Sequence, residues 1–449
     1  MQKYGCCVYN LSITSKFLDL NHIIKYNIIK KKNKNDNYNN KRLSLMTTSI
    51  EVKINPNILI WARKSAKYEI EEISQKMEMD SNEMEKLEKG EKTLTYVQLL
   101  KLAEYYQRPA MLFFNPNMPP FEPDTLHDFR TLPKKTDKKI SPKVTFELRS
   151  ARARRENVIS LDDLDEYEIP TFNLNAQLTD DITSLAYDIR KSIKLSKARQ
   201  DTLKNPSKFL DYCISQFENL GILVFQFYGI KSEEMRGYAI SYKKLPIIGI
   251  NVKEHPHGKL FTLFHELPHL ALKTESISNI NTYNLKYDVE IFCNKVAAET
   301  LVPEKSLLQD PIVQNMTDGI LSEKNLKQLS KNFKVSPEVI IRRLLSTNSL
   351  SNEFFKIKKE EWNSYIGGGF QTKKGKEPKK AKKREIKETK VNRKDPNVSK
   401  ALKRNGIYYT NLVLEAYDND LITSSDLSDF LGEKLETIEK IKDAISKGE

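Results

Sequence analysis

The apolar segment FTLFHELPHLAL, residues 261–272, constrains the fold of this chain more than any other stretch. Its apolar residues recur at helical spacing around two histidines, His265 and His269. In an α-helix, residues four apart lie on nearly the same face, about 6 Å apart along the axis. The apolar stripe of this helix therefore predicts that both imidazoles point into the protein rather than into water.

Two inward-pointing imidazoles at this spacing can bind one tetrahedral Zn²⁺ at about 2.0–2.1 Å. Glu266 follows the first histidine, and there it can accept a proton from a water molecule instead of acting as a ligand. The downstream segment DVEIFCNKVAAETLVP offers a third ligand in Glu290, with Glu299 as a rival and Cys293 as a possible soft ligand. We expect Glu290, because the histidine helix would pack near the start of the helix that carries it.

A second interpretation is that His265 and His269 are ordinary core residues with satisfied hydrogen bonds. The sequence alone leaves this alternative open, because a single His-Glu-x-x-His match is only moderately specific. His255 and His257, in EHPHGK, are expected in a surface turn rather than at a metal.

The positive charge of the chain is concentrated in two segments. The formal net charge is +14 over 449 residues, and residues 1–45 and 373–394 alone carry +7 and +9. Both segments are predicted to be disordered and solvated, although such tails can also bind nucleic acid by counterion release. No apolar run reaches the length of a transmembrane helix, and the four cysteines show no disulfide or zinc-ribbon spacing. These features favour a cytoplasmic protein without a membrane partner.

Three segments, IIGINV, KLFTLFHELPHLAL and EIFCNKVAAETLVP, together resemble the ImmA/IrrE family of intracellular zinc-dependent metallopeptidases. The resemblance implies that His265, His269 and Glu290 bind zinc and that Glu266 is the catalytic glutamate. It also implies a protein substrate, because members of this family are associated with cleavage of a partner repressor.

Pro268 departs from that family's pattern, in which a glycine or another small residue is usual at this position. Proline lacks the N–H that would bond to the carbonyl of Phe264, and in a helix interior it costs about 3 kcal/mol. Metal binding can offset this cost, so we expect binding to be retained and leave activity open. Cys293 and Val296 also depart from the pattern, and both exchanges are expected to be tolerated in packing.

A long N-terminal segment, ILIWARKSAKYEIEEISQKMEMDSNEMEKLEKGEKTLTYVQLLKLAEYY, resembles an Xre-type helix-turn-helix domain. RPAMLFFNPNMPP and HDFRT resemble a subgroup in which such a domain precedes the peptidase on one chain. The second helix of the pair would enter the major groove, which makes Ser81, Asn82, Lys86 and Lys89 candidate DNA contacts. Glutamates on the same helix repel phosphates, so a protein-docking or dimerising role is an equal alternative to DNA binding.

The predicted fold class is α+β, with a small sheet formed by the runs GILVFQF, RGYAISY and LPIIGINV. An all-α helix-turn-helix bundle precedes a central zincin-like domain that holds the HExxH helix, and a small helical module follows. The expected divisions are a disordered basic extension (1–50), the Xre-type domain (51–116), a linker and helical segment (117–204), the peptidase domain (205–350), a basic linker (351–400) and the C-terminal helical module (401–449).

The leading hypothesis is a cytoplasmic zinc metalloendopeptidase fused to a helix-turn-helix domain. Its substrate would be a regulatory protein such as a transcriptional repressor, and Glu266 would assist the attacking water. The main alternative is a DNA-binding regulator or antitoxin-like protein whose peptidase fold is inactive or sensory, and a third is an interaction scaffold. Tyr283 and Tyr287 are candidates for stabilising the tetrahedral intermediate.

Overall fold

The computed structural model describes residues 50–118, 140–162, 171–203, 205–273, 282–316, 321–364 and 395–446. The chain divides into two compact units, residues 1–121 and 122–449. The described residues are mostly helical with two small sheets, which confirms the α+β class. The two basic segments, 1–45 and 373–394, for which disorder is predicted, lie outside the described residues.

The first unit is built from short helices and a two-stranded antiparallel sheet. Strand β1 (Glu51–Val52) pairs with β2 (Leu94–Thr95). The helices are α1 (Pro56–Ser65), α2 (Ile70–Met77), α3 (Ser81–Glu88) and α4 (Tyr96–Tyr106), followed by a 3₁₀ helix at Ala110–Phe114. Leu59, Ile73, Leu87 and Leu99 are buried among them.

Polar residues fix where the helices of the first unit begin and end. The Asp80 carboxylate accepts a hydrogen bond from the Asn82 N–H, which makes it the N-cap of α3. Thr95 and Gln98 form a capping box at the start of α4. Gly90, just after α3, has a φ of 75°, a left-handed conformation that glycine adopts without strain. Asp80 and Gly90 thus flank α3 at its start and at its end.

The second unit contains a three-stranded sheet in the order β3–β5–β4. Strand β3 (Leu223–Phe227) is parallel to β5 (Ile247–Asn251), and β5 is antiparallel to β4 (Gly237–Ile240). These strands coincide with the three runs predicted from sequence. In the described parts of the chain, no further strand pairs with β4, so β4 forms one edge of the sheet.

The remaining helices of the second unit surround this sheet. They are α5 (Pro142–Asp162), α6 (Ile182–Ser192), α7 (Lys197–Thr202), α8 (Pro206–Asn219), α9 (Pro256–Leu272), α10 (Thr282–Leu301), α11 (Glu304–Leu308), α12 (Pro311–Gln314), α13 (Glu323–Phe333), α14 (Pro337–Ser346), α15 (Asn352–Ser364), α16 (Pro396–Asn405), α17 (Ile407–Asp418), α18 (Ser424–Leu431) and α19 (Leu435–Ser446). No described helix combines the length and apolar character that crossing a bilayer requires.

The sheet is covered by helices on both faces, because alternate side chains point to opposite sides of a strand. One face, with Val224, Ile248 and Ile250, belongs to the core that includes α8, α9 and α10. The other face, with Phe225 and Tyr238, packs against side chains of α5 and of the C-terminal helices. The C-terminal helices therefore bury part of the sheet that leads into α9.

A network of polar contacts joins the C-terminal helices to the sheet. The guanidinium of Arg154 donates a hydrogen bond to the carbonyl of Arg404 and lies 3.9 Å from the ring centroid of Phe225. The hydroxyl of Tyr409, on α17, donates to the carbonyl of Phe430 at 3.0 Å. Thr423 is the N-cap of α18, and its hydroxyl accepts a hydrogen bond from the Asp426 N–H.

Candidate metal centre

Helix α9 carries the two histidines and continues through Pro268 without interruption. It begins with Pro256 at its first turn, and its C-cap, Lys273, has a left-handed φ of 51°. Near its C-terminal end, the Ser241 hydroxyl donates to the carbonyl of Leu270 at 3.3 Å, and the Ala176 N–H donates to that of Ala271 at 3.1 Å. Backbone groups near the end of this helix are thus bonded to the surrounding chain.

The side chains of His265, His269 and Glu290 converge on one point. The two Nε2 atoms are 3.3 Å apart, and they lie 3.4 and 3.5 Å from the two carboxylate oxygens of Glu290. The histidines are 0% and 2% exposed, whereas the Glu290 side chain is 30% exposed. The site is therefore buried on the α9 side and reaches solvent beside the carboxylate.

These separations match the requirement of a single tetrahedral ion. Ligand atoms about 2.0–2.1 Å from such an ion lie about 3.3–3.4 Å from one another. Two imidazole nitrogens and one carboxylate also form a donor set that transition metals prefer, unlike the all-oxygen sets of Mg²⁺ and Ca²⁺. The three residues therefore fit a divalent transition-metal ion, and Pro268 does not prevent the imidazoles from converging.

Glu290 is placed by helix α10, which packs along α9. The residues that recur at helical spacing along one face of α10 form a buried stripe: Val289, Phe292, Cys293, Val296, Ala297 and Thr300. Glu290 lies at the border of this stripe. From there its carboxylate reaches the histidines, while its side chain remains partly exposed. Cys293 is buried in the hydrophobic core, and the converging group does not include it.

Glu299, the alternative candidate for the third ligand, forms an ion pair instead. Its carboxylate forms a buried ion pair with Arg343 and accepts a hydrogen bond from the Glu304 N–H at 3.0 Å. Arg343 also donates to the carbonyl of Val302 at 3.1 Å. Glu299 therefore connects the end of α10 to α14 and is not part of the converging group.

Glu266 is 1% exposed and lies next to the edge strand of the sheet. A Cβ atom built on Gly237 of β4 would lie 2.9 Å from its Oε1 atom. Gly237 is not among the site residues predicted from the sequence, although an isolated glycine within the strand pattern RGYAISY is a known signal of close backbone approach.

The other candidates near the centre have different positions. His255 is exposed and is the N-cap of α9, and burial, followed by the charge of His255, lowers the pKa of His257 to about 4. Tyr287 is 68% exposed, and the side chain of Tyr283 lies outside the described residues. A role for either tyrosine in stabilising an intermediate remains a prediction.

The candidate DNA contacts lie on α3 and at its C-cap, Lys89, in the first unit. Asn82, Lys86 and Lys89 are exposed, and Ser81 is half-buried. Helices α2 and α3 are joined by residues 78–80, the short connection that a helix-turn-helix requires.

The charges around α3 do not form a basic surface. Lys89 lies 3.5 Å from Glu85, and Lys92 lies 2.6 Å from Glu83, so both ammonium groups are paired within the unit. Glu88 is buried and bonded to Arg63 at 2.7 Å, which removes it from the exposed face. Residues 50–118 contain ten Lys and Arg against eleven Asp and Glu, a net charge of −1.

The family model of the IrrE N-terminal-like domain, a Peptidase_M78 family, matches residues 217–345 of this chain. The match includes the whole sheet, α9 with its two histidines, and α10 with Glu290. It supports a metallopeptidase domain of the IrrE/ImmA type in this part of the chain. No curated protein matches the chain.

Proposed function

We propose that this chain is a zinc-dependent metalloendopeptidase fused to a helix-turn-helix domain, and that it cleaves a regulatory protein such as a transcriptional repressor. The observation that carries the proposal is the tetrahedral spacing of His265, His269 and Glu290 beside the buried Glu266. Two histidines and one glutamate are the protein ligands of several catalytic zinc sites. The buried thiols of Cys213 and Cys293 are compatible with a reducing cytoplasm.

Zinc held by these three residues would polarise the carbonyl of the scissile peptide bond and lower the pKa of a nearby water molecule. Glu266 accepts the proton of the attacking water and passes it to the departing amide nitrogen. Burial of Glu266 excludes bulk solvent around the carboxylate, which strengthens its interaction with charge that develops close by.

The position of β4 supports a polypeptide as the substrate. Its outer edge is not paired with another strand in the described residues, and its backbone approaches Glu266 at Gly237. An extended peptide can add to such an edge through main-chain hydrogen bonds. The substrate's identity as a repressor rests on the family resemblance alone.

Metal analysis and a peptide-library digest of the full chain test the proposal. We expect about one zinc ion per chain in the wild type and in Glu266→Gln, and loss of zinc in His265→Ala. Mass spectrometry of a proteome-derived peptide library should detect cleavage by the wild type and at least about 100-fold slower cleavage by Glu266→Gln. Equal cleavage by both proteins, or a wild type that binds no metal, would overturn the assignment.

The second candidate is a DNA-binding regulator whose peptidase fold is inactive or sensory. The short connection between α2 and α3 favours it, whereas the paired lysines do not. Selection from a random duplex library with the full chain distinguishes the two. Enrichment of one sequence, retained by His265→Ala, in a protein that cleaves no library peptide would favour the regulator.

A further inference from the structure

The edge strand β4 presents residue 237 to helix α9, and only a glycine fits there. A Cβ atom at this position would lie 2.3 Å from Thr262 Cγ2, 2.9 Å from Glu266 Oε1 and 3.0 Å from the carbonyl oxygen of Gly249. Ordinary van der Waals contacts of a Cβ atom begin at about 3.4 Å. At Gly237 the backbone of β4 therefore approaches the Glu266 side chain so closely that no Cβ atom fits between them.

The backbone conformation does not explain the glycine. Gly237 is not among the glycines with positive φ, and β4 is a regular antiparallel partner of β5 at this position. Any residue could adopt this conformation, so the limited space beside Thr262 and Glu266 is what requires a glycine.

We propose that Gly237 is a positioning residue for Glu266, an inference that rests on the proposed function. The strand backbone forms a wall that holds the Glu266 carboxylate beside the metal ligands on α9. An added methyl group displaces that carboxylate by about 0.5 Å, since a contact of 2.9 Å must lengthen to about 3.4 Å. A displacement of this size slows proton transfer, because catalytic groups must be held within about 0.5 Å.

The contact with Thr262 has to be removed before this effect can be measured. Gly237→Ala alone meets Thr262 at 2.3 Å, a contact that can prevent folding. Thr262→Ser deletes the methyl group that causes it, so Gly237→Ala/Thr262→Ser leaves the contact with Glu266 as the closest one. Thr262→Ser alone is one control. Gly258→Ala is the other, since its Cβ atom would come closer than 3.4 Å only to the flexible carboxylate end of Glu254, at 2.7 Å.

The experiment compares these variants as full-length, zinc-loaded proteins on the library peptide that the wild type cleaves fastest. For Gly237→Ala/Thr262→Ser we expect kcat to fall about 10- to 100-fold, with KM within about twofold of wild type. Zinc affinity, measured by competition with a chromophoric chelator, and the thermal midpoint should stay at the values of Thr262→Ser. Both control variants should retain wild-type kcat.

Several outcomes would overturn the inference while leaving the proposed function intact. These are an unchanged kcat, a loss of kcat accompanied by an equal loss of zinc affinity or thermal stability, and a change confined to KM. A double variant that does not fold also contradicts it, because its remaining contacts need shifts of only a few tenths of an ångström. Failure of the proposed function looks different, because Glu266→Gln would then cleave as fast as the wild type.

Discussion

Arg343 holds the carboxylate of Glu299 in an ion pair in which both side chains are buried, 10% and 6% exposed. Glu290, nine residues earlier on the same helix, has its carboxylate within 3.5 Å of both histidines. The two glutamates of α10 therefore have separate functions, one in the fold and one at the proposed metal site.

Substitution of each glutamate by glutamine should separate these functions. Glu290→Gln is expected to lower zinc affinity by more than about 100-fold, because it removes a charged ligand. Glu299→Gln is expected to leave zinc affinity unchanged and to lower the free energy of unfolding by about 3 kcal/mol, since Arg343 stays buried without its counter-charge. Chelator competition and denaturant unfolding measure the two effects, and loss of zinc from Glu299→Gln would contradict the assignment.

Pro268→Ala tests whether the proline strains helix α9 without changing the geometry of the metal ligands. The substitution restores an N–H to the interior of α9, where proline costs about 3 kcal/mol, and removes two buried methylene equivalents, worth about 1.6 kcal/mol. We expect the free energy of unfolding of the metal-free variant to be about 1 kcal/mol higher than that of the metal-free wild type. Its zinc affinity should be unchanged. A less stable variant would show that the proline does not strain the helix. Tighter zinc binding by the variant would show that the proline distorts the ligand geometry.

The raised pKa of Glu218 predicts that the stability of the second unit depends on pH. Burial raises its pKa to about 7, and backbone N–H groups, including that of Tyr408 at the start of α17, oppose this rise. The native state holds the proton more tightly than the unfolded chain. This group therefore lowers stability as pH rises from about 4.5 to about 7, and its effect is constant above that range.

Glu218→Gln removes this titration and keeps an acceptor for the α17 N–H. We expect the variant to be more stable than wild type at pH 8 by up to about 3 kcal/mol, and equally stable near pH 4. Denaturant unfolding across that range measures the difference. A constant offset between the two proteins at all pH values would contradict the raised pKa.

The C-terminal helices should stabilise the sheet that packs against α9. Tyr409 is 1% exposed and its ring meets that of Phe225 edge-on at 6.1 Å, whereas Ile407, on the same helix, is 45% exposed. Tyr409→Ala is expected to lower the free energy of unfolding by about 3–4 kcal/mol, and Ile407→Ala by less than about 0.5 kcal/mol. Equal effects of both variants on thermal unfolding of the second unit would show that the helices do not support the sheet.

The features that were predictable from the sequence are those encoded over short distances. The three strands, the caps at Asp80 and Thr423, and the stripe of α10 all follow from local periodicity or from one turn of chain. The convergence of Glu290 on the histidines required only that two neighbouring helices pack together.

The missed features join residues far apart in the chain. Glu299 and Arg343 are 44 positions apart, and Glu218 and Tyr408 are 190 positions apart. The significance of Gly237 likewise depends on the approach of β4 to α9. No local pattern specifies such partners, because many arrangements of the same helices satisfy the same periodicity.

Because the C-terminal helices pack against the sheet, the basic segment between α15 and α16 connects two parts of the same folded unit. Both of its ends belong to one folded body, since α15 and α17 pack into the two cores that share the sheet. Cleavage by trypsin at the lysines of this segment would therefore leave two polypeptides, held together by the packed side chains around Phe225 and Tyr409. Such a nicked protein should migrate as one particle in gel filtration and separate only in denaturant.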